Sequence, residues 1–197
     1  MIPTISVRTI SAFAVILVGY CLVPSLEAKD IIRDKSPDEK FALRVTKEGE
    51  GWGAAIINLK SKQDVVGLEI YQNFTEDAHL VWSKDSQRVA YFEPDRRGGT
   101  TTVYFRKGVE FEEVSLPYGD FPACEEKPSK EDDGDKYLKT VEATTSPVKW
   151  LDSGELVLEQ HSESEMENGG ARGCGQTLTI AFDSDHKASV KSAKQHD

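Results

Sequence analysis

Between His79 and Phe105 the chain alternates apolar and polar blocks that predict three short strands and two turns. Val81-Trp82 leads into the polar step Ser83-Lys84-Asp85-Ser86, and Gln87-Arg88 opens the apolar run Val89-Ala90-Tyr91-Phe92. After a polar break at Pro94 to Gly99 comes Thr101-Thr102-Val103-Tyr104-Phe105. A strand at the rim of a two-layer structure would alternate; four apolar residues in a row predict a strand covered on both faces. Upstream, Ser36 to Lys40 reads as a turn, Phe41 to Val45 as a strand, and Gly49 to Gly53 as a loop holding Trp52. Ala54 to Leu59 and Val65 to Tyr71 follow as strands joined by the polar turn Lys60 to Asp64. Downstream, Val109 to Leu116 completes a fourth strand, and Pro117 to Lys136 breaks the pattern with prolines, glycines and acidic clusters. Tyr137 to Ala143 offers an extra strand, then Pro147 to Trp150 and Glu155 to Glu159 form a strand-turn-strand. His161 to Gly175 reads as a second polar loop, and Gln176 to Phe182 and Ala188 to Ser192 as closing strands. No long helical period occurs after residue 28, so the expected class is all-β with antiparallel sheets.

The first 28 residues stand apart. Arg8 precedes an apolar run from Ile10 to Val23, which Pro24 ends before Ser25-Leu26-Glu27-Ala28. About 14 apolar residues fall short of the ~20 needed to span a bilayer and suit a signal peptide, cleaved after Ser25 or Ala28. The expectation is a secreted or periplasmic protein with one domain over 29–197 and no membrane span in the mature chain. Arg8 and Glu27 cancel, so the mature part keeps the net charge of −10. Such a field disfavours nucleic acid and anionic membranes and suits basic protein partners. Cys124 and Cys174 remain once Cys21 leaves with the leader. An even pair in an oxidising compartment favours one disulfide over two free thiols. It would close about 50 residues and contribute on the order of 4 kcal/mol.

Three stretches repeat one pattern: Ser36-Pro37-Asp38-Glu39-Lys40-Phe41-Ala42-Leu43, Trp82 to Tyr91, and Trp150-Leu151-Asp152-Ser153-Gly154-Glu155-Leu156-Val157-Leu158. An aromatic, a polar turn containing Asp and an apolar strand resemble the WD40-like repeat of TolB-type β-propellers, over most of residues 36–192. The resemblance implies propeller-like blades. Three copies are fewer than the four to eight of a closed propeller, so it implies closure by self-association, a hidden blade, or an open, sandwich-like array. It further implies that the long connections, with Cys124 and Cys174, emerge at one end. The short turns near Asp38, Lys62, Asp85, Gly108, Asp152 and Asp183 would then lie at the other.

Candidate chemistry is sparse. No nucleophile elbow, phosphate loop or zinc spacing is present. Arg96-Arg97 before Gly98-Gly99 offers a bidentate grip for a carboxylate or phosphate, against the alternative of a solvated hairpin tip. Trp52 is a candidate surface aromatic, and Tyr118 stands at the start of the long loop. Glu131, Asp132, Asp133 and Asp135 offer oxygen ligands suited to Ca²⁺ without the spacing of a calcium loop. No other cofactor or metal is expected. His161 precedes Glu163, Glu165 and Glu167, an arrangement with acid/base potential or simply a solvated run. These residues predict a non-enzymatic module presenting its loop face to a protein partner, and the net charge suits a basic one. An acidic inhibitor acting through loop 117–136 and a hydrolase using His161 are the alternatives.

Overall fold

The structure, a computed structural model, describes residues 30–124, 137–167 and 169–196. Twelve strands and two short 3-10 turns make up its elements. The first four strands are β1 (Ile31–Arg33), β2 (Phe41–Glu48), β3 (Gly51–Asn58) and β4 (Asp64–Leu68), and they form one antiparallel meander. A second meander contains β5 (His79–Trp82), β6 (Arg88–Asp95), β7 (Gly98–Lys107) and β8 (Glu110–Val114). A third contains β9 (Tyr137–Trp150), β10 (Leu156–Met166), β11 (Ala171–Phe182) and β12 (Ala188–Gln195).

The middle meander is covered on both faces, as the apolar run predicts. Val89 and Tyr91 on β6 turn towards Phe41, Leu43, Val45 and Ile56 of the first meander. Ala90, Val103 and Phe105 turn the other way, onto Leu156, Leu158, Leu178 and Ile180. Adjacent residues on a strand point to opposite faces, so an unbroken apolar run is what two cores require. The tryptophans pin the layers together. Trp82 donates its indole N–H to the Asp34 carbonyl of the first meander at 2.7 Å. Trp150 donates to the Val81 carbonyl of the second at 3.0 Å.

The repeated turns are real, and their shared chemistry is local. Ser83 is buried; its Oγ accepts the Arg88 amide at 2.9 Å and donates to Asp85 Oδ1 at 2.6 Å. Ser36, Asp38 and Phe41 repeat this arrangement. Four of the short turns bring the amide of their fourth residue back to the carbonyl of their first: Glu39 to Ser36, Ser86 to Ser83, Gly154 to Leu151, and His186 to Asp183. Each fourth residue has positive φ. Small polar side chains favour such turns wherever two strands meet.

This locality corrects the resemblance to WD40-like, TolB-type blades. The copies share a turn rather than a blade. Strands β5 to β12 belong to one eight-stranded sheet beside the four-stranded one, and no closed propeller forms among the described residues. The join is a short parallel pairing of β7 with β9, Gly98 opposite Ala143 and Gly99 opposite Thr144. Only glycine fits there: a Cβ on Gly98 would lie 1.9 Å from the Ala143 carbonyl oxygen. What stands is an all-β protein of antiparallel meanders packed face to face, compatible with the sandwich-like alternative.

Three readings of individual segments also change. Ile31–Arg33, for which the sequence pattern predicts no element, is a strand paired with Leu43 to Val45. The 161–175 stretch is not a loop: β10 and β11 pair through it from His161–Gly175 to Glu165–Ala171. Residues 137–150 form one strand, with Pro147 accommodated at a register shift opposite Leu158.

Candidate functional site

The two ends of the meanders differ in build. At one end the short turns stack against each other. Ser86 Oγ accepts the Asp38 amide at 3.0 Å, Arg106 reaches Asp38 Oδ2 at 2.8 Å, and Arg88 donates to the Gly154 carbonyl at 2.9 Å. Arg88 also lies over the Trp150 ring and Arg106 over that of Phe41. Burial alone would raise the Asp38 carboxyl, but hydrogen bonds from Ser36, Arg106 and Lys40 outweigh it and hold the group well below the usual range. This end is closed upon itself.

The other end gathers the long connections, with the disulfide Cys124–Cys174 joining two of its segments at a Cα separation of 5.9 Å. An open cleft of about 630 Å³ lies here. Its apolar wall is Phe74, Phe92 and Pro94; its polar groups include Asp77, His79, Asp95, Arg96 and Glu142, with Thr144 and Ser146 along β9. The walls are held from behind. Arg33 donates to the carbonyls of Thr75 and Ala78, fixing the segment that carries Asp77. His79 Nδ1 bonds the Asp77 carbonyl at 2.7 Å, and its ring tilts against Phe92 at 5.3 Å. At the β6–β7 tip, Asp95 Oδ1 accepts the Arg97 amide at 2.6 Å, and the Arg97 carbonyl accepts the Ala143 amide at 2.8 Å. The glycine join thus clamps the hairpin against β9.

The charges facing the cleft are uncompensated. Among the described residues no ion pair engages Asp77, Asp95, Arg96 or Glu142. Behind the wall, Glu93 is raised above the usual carboxylate range by burial and by the negative charges of Glu69 and Asp95. The local field is negative.

The residues singled out by sequence are distributed unevenly around this cleft. Arg96 lines it, and Arg97 is exposed at the same tip. His161 is exposed on β10, directly opposite Thr144 and Gly175, so it stands on the strand next to the cleft wall, with Glu163 two residues on. Trp52 is on β3, half-buried and packed against the first core. Tyr118 is 42% exposed along its ring, yet its hydroxyl tucks under β7, donating to the Thr101 carbonyl and accepting the Thr101 amide. Burial pushes that hydroxyl up to about 12, against the hydrogen bond from Thr101. Glu131, Asp132, Asp133 and Asp135 lie outside the described residues, as does the segment 1–28 for which a signal peptide is expected. Among the described residues no group of three or more His, Cys, Asp or Glu is arranged to hold a metal ion, and no helix is long and apolar enough to cross a membrane.

Sequence reasoning missed Asp77, His79, Phe92 and Glu142 as site residues. Their only signal is the position of Phe92 at the end of the apolar run, where core gives way to an open end. It also missed a polar trio on the outer face of the third meander. Thr177 Oγ1 lies 2.7 Å from His196 Nε2, and His196 Nδ1 lies 3.2 Å from Glu159 Oε1. The His196 amide donates to the Gly175 carbonyl at 2.8 Å, so the trio fastens the end of β12 onto β11. No protein-family model matches the chain, and neither a curated protein nor a solved structure shows significant similarity to it.

Proposed function

We propose that the chain is a secreted or periplasmic, non-enzymatic binding module that presents its long-loop end to a protein partner. The observation that carries this reading is the cleft itself: a rigidly backed, open, aromatic-floored site whose charged groups form no ion pair among the described residues. Its volume lies within the ~300–1,000 Å³ typical of ligand sites, and surface loops on a rigid scaffold are where recognition concentrates. The disulfide suits an oxidising compartment. The net charge of −10 favours a basic partner and a salt-sensitive complex.

The test is affinity capture with the full chain as bait, at low and high salt, against two variants. Arg96→Glu combined with Glu142→Lys exchanges the positions of the cleft's cation and one of its carboxylates and leaves the net charge unchanged. Lys84→Glu alters the closed end, where Lys84 is 90% exposed. A protein retained by wild type and Lys84→Glu but lost from the cleft variant supports the reading. Equal retention by all three, or none by wild type, rejects it.

A further inference from the structure

The cleft carries enough chemistry to define its ligand, an inference that rests on the binding role just proposed. We infer that it receives the cationic head of a lysine or arginine side chain from an extended segment of the partner. Asp77, Asp95 and Glu142 contribute three carboxylates to its lining, against the single guanidinium of Arg96. None of the four is committed to an ion pair among the described residues.

Carboxylates left unpaired around an apolar floor attract a charge from outside, and the floor selects which kind. A bare metal ion needs clustered oxygen ligands, and the described carboxylates form no such group. A lysine or arginine side chain brings a methylene stem as well as a charge, and the stem can lie along Phe92, Phe74 and Pro94. A cation over an aromatic face is drawn to it by the ring quadrupole. Arg96, at the rim, is left to meet a carboxylate or a backbone carbonyl of the same segment. Behind the wall, burial raises Glu93 first, and the negative charges of Glu69 and Asp95 raise it further.

The test uses the full chain, ¹⁵N-labelled, titrated with the N-acetyl methylamides of lysine, arginine, norleucine and glutamate. Saturable shifts at the amides of Phe92, Gly98 and Thr144 are expected with lysine and arginine, at least fivefold tighter than with norleucine. Asp77→Asn combined with Glu142→Gln should abolish that preference. Both side chains are exposed, so folding is not at risk. Equal binding of norleucine, preference for glutamate, or no movement of the cleft amides would overturn the inference. The two proposals fail separately. Capture that survives Asp77→Asn/Glu142→Gln, with no lysine or arginine preference in the titration, removes the ligand class and leaves loop-end binding standing. Loss of wild-type capture removes the binding role, while the titration still judges the cleft.

Discussion

The closed end and the cleft end are made from the same strands, yet they solve opposite problems. At the closed end the polar groups packed between the turns find partners within the chain: serine to backbone, arginine to carboxylate or carbonyl, tryptophan to carbonyl. At the cleft end the backbone is held as firmly, by Arg33, the Asp95 turn and the glycine join. The charged side chains lining the cleft are left without ion pairs among the described residues. Rigidity is common to both; self-satisfaction is not. The difference separates a region that maintains the fold from one prepared for something else to bind.

Four measurements would break or sharpen that contrast. The largest effect should come from replacing Cys124 and Cys174 with alanine, lowering unfolding free energy by about 4 kcal/mol in urea titration. Native-state hydrogen exchange should show the loss at the cleft end first, leaving the amides of Glu39 and Ser86 protected. Uniform loss at both ends would mean that they are not separable. Next, Gly98→Ala should cost about 3 kcal/mol, because its Cβ meets the Ala143 carbonyl and its φ is +129°. A cost near zero would show that the β7–β9 join is dispensable. At the closed end, Ser83→Ala strips the buried acceptor from the Arg88 amide and should cost about 2 kcal/mol. It should leave probe binding in the cleft unchanged.

The smallest effect concerns acid, where the two ends respond with opposite sign. Asp38 is depressed when folded, so its stabilising contribution is present above its ordinary value of 3.8 and drains away as pH falls below it. The stability difference between wild type and Asp38→Asn should therefore shrink through that window. Glu93 is raised when folded, so its ionised form destabilises the protein as pH rises above the ordinary 4.5. Glu93→Gln should give a small gain in melting temperature at neutral pH and none below pH 4. Matching signs for the two residues would contradict the contrast in their surroundings.

How much of this was legible depended on whether the controlling interaction was local. The middle strand announced its two covered faces because four apolar residues are a statement about both sides at once. The turns announced themselves through Ser83 and Asp85, whose hydrogen bonds span only a few residues. That same locality misled: three similar turns resembled a repeat family, while the strands they joined assembled into two sheets. Residues 161–175 look like a loop because Ser, Glu and Gly have little strand preference of their own, and the pairing of β10 with β9 and β11 overrides it. Gly98-Gly99 reads as a turn, whereas the missing Cβ of Gly98 serves an approach by a strand more than 40 residues away and that of Gly99 makes room for the Phe92 ring. The cleft was half visible. Arg96 stood out as charge at a hairpin tip; Asp77 and Glu142 carry no spacing that links them.

The double coverage of the middle meander has a consequence for the order of events at birth. The chain emerges N-terminus first, so Phe41, Leu43, Val45 and Ile56 are presented before their partners exist. At the usual pace of roughly 5–20 residues per second, the stretch from Glu69 to Val114 takes about 2 to 9 seconds to appear. For that interval the newborn sheet shows a greasy side with nothing to meet. A nascent chain of this design depends on its own second third arriving, or on a chaperone standing in until it does.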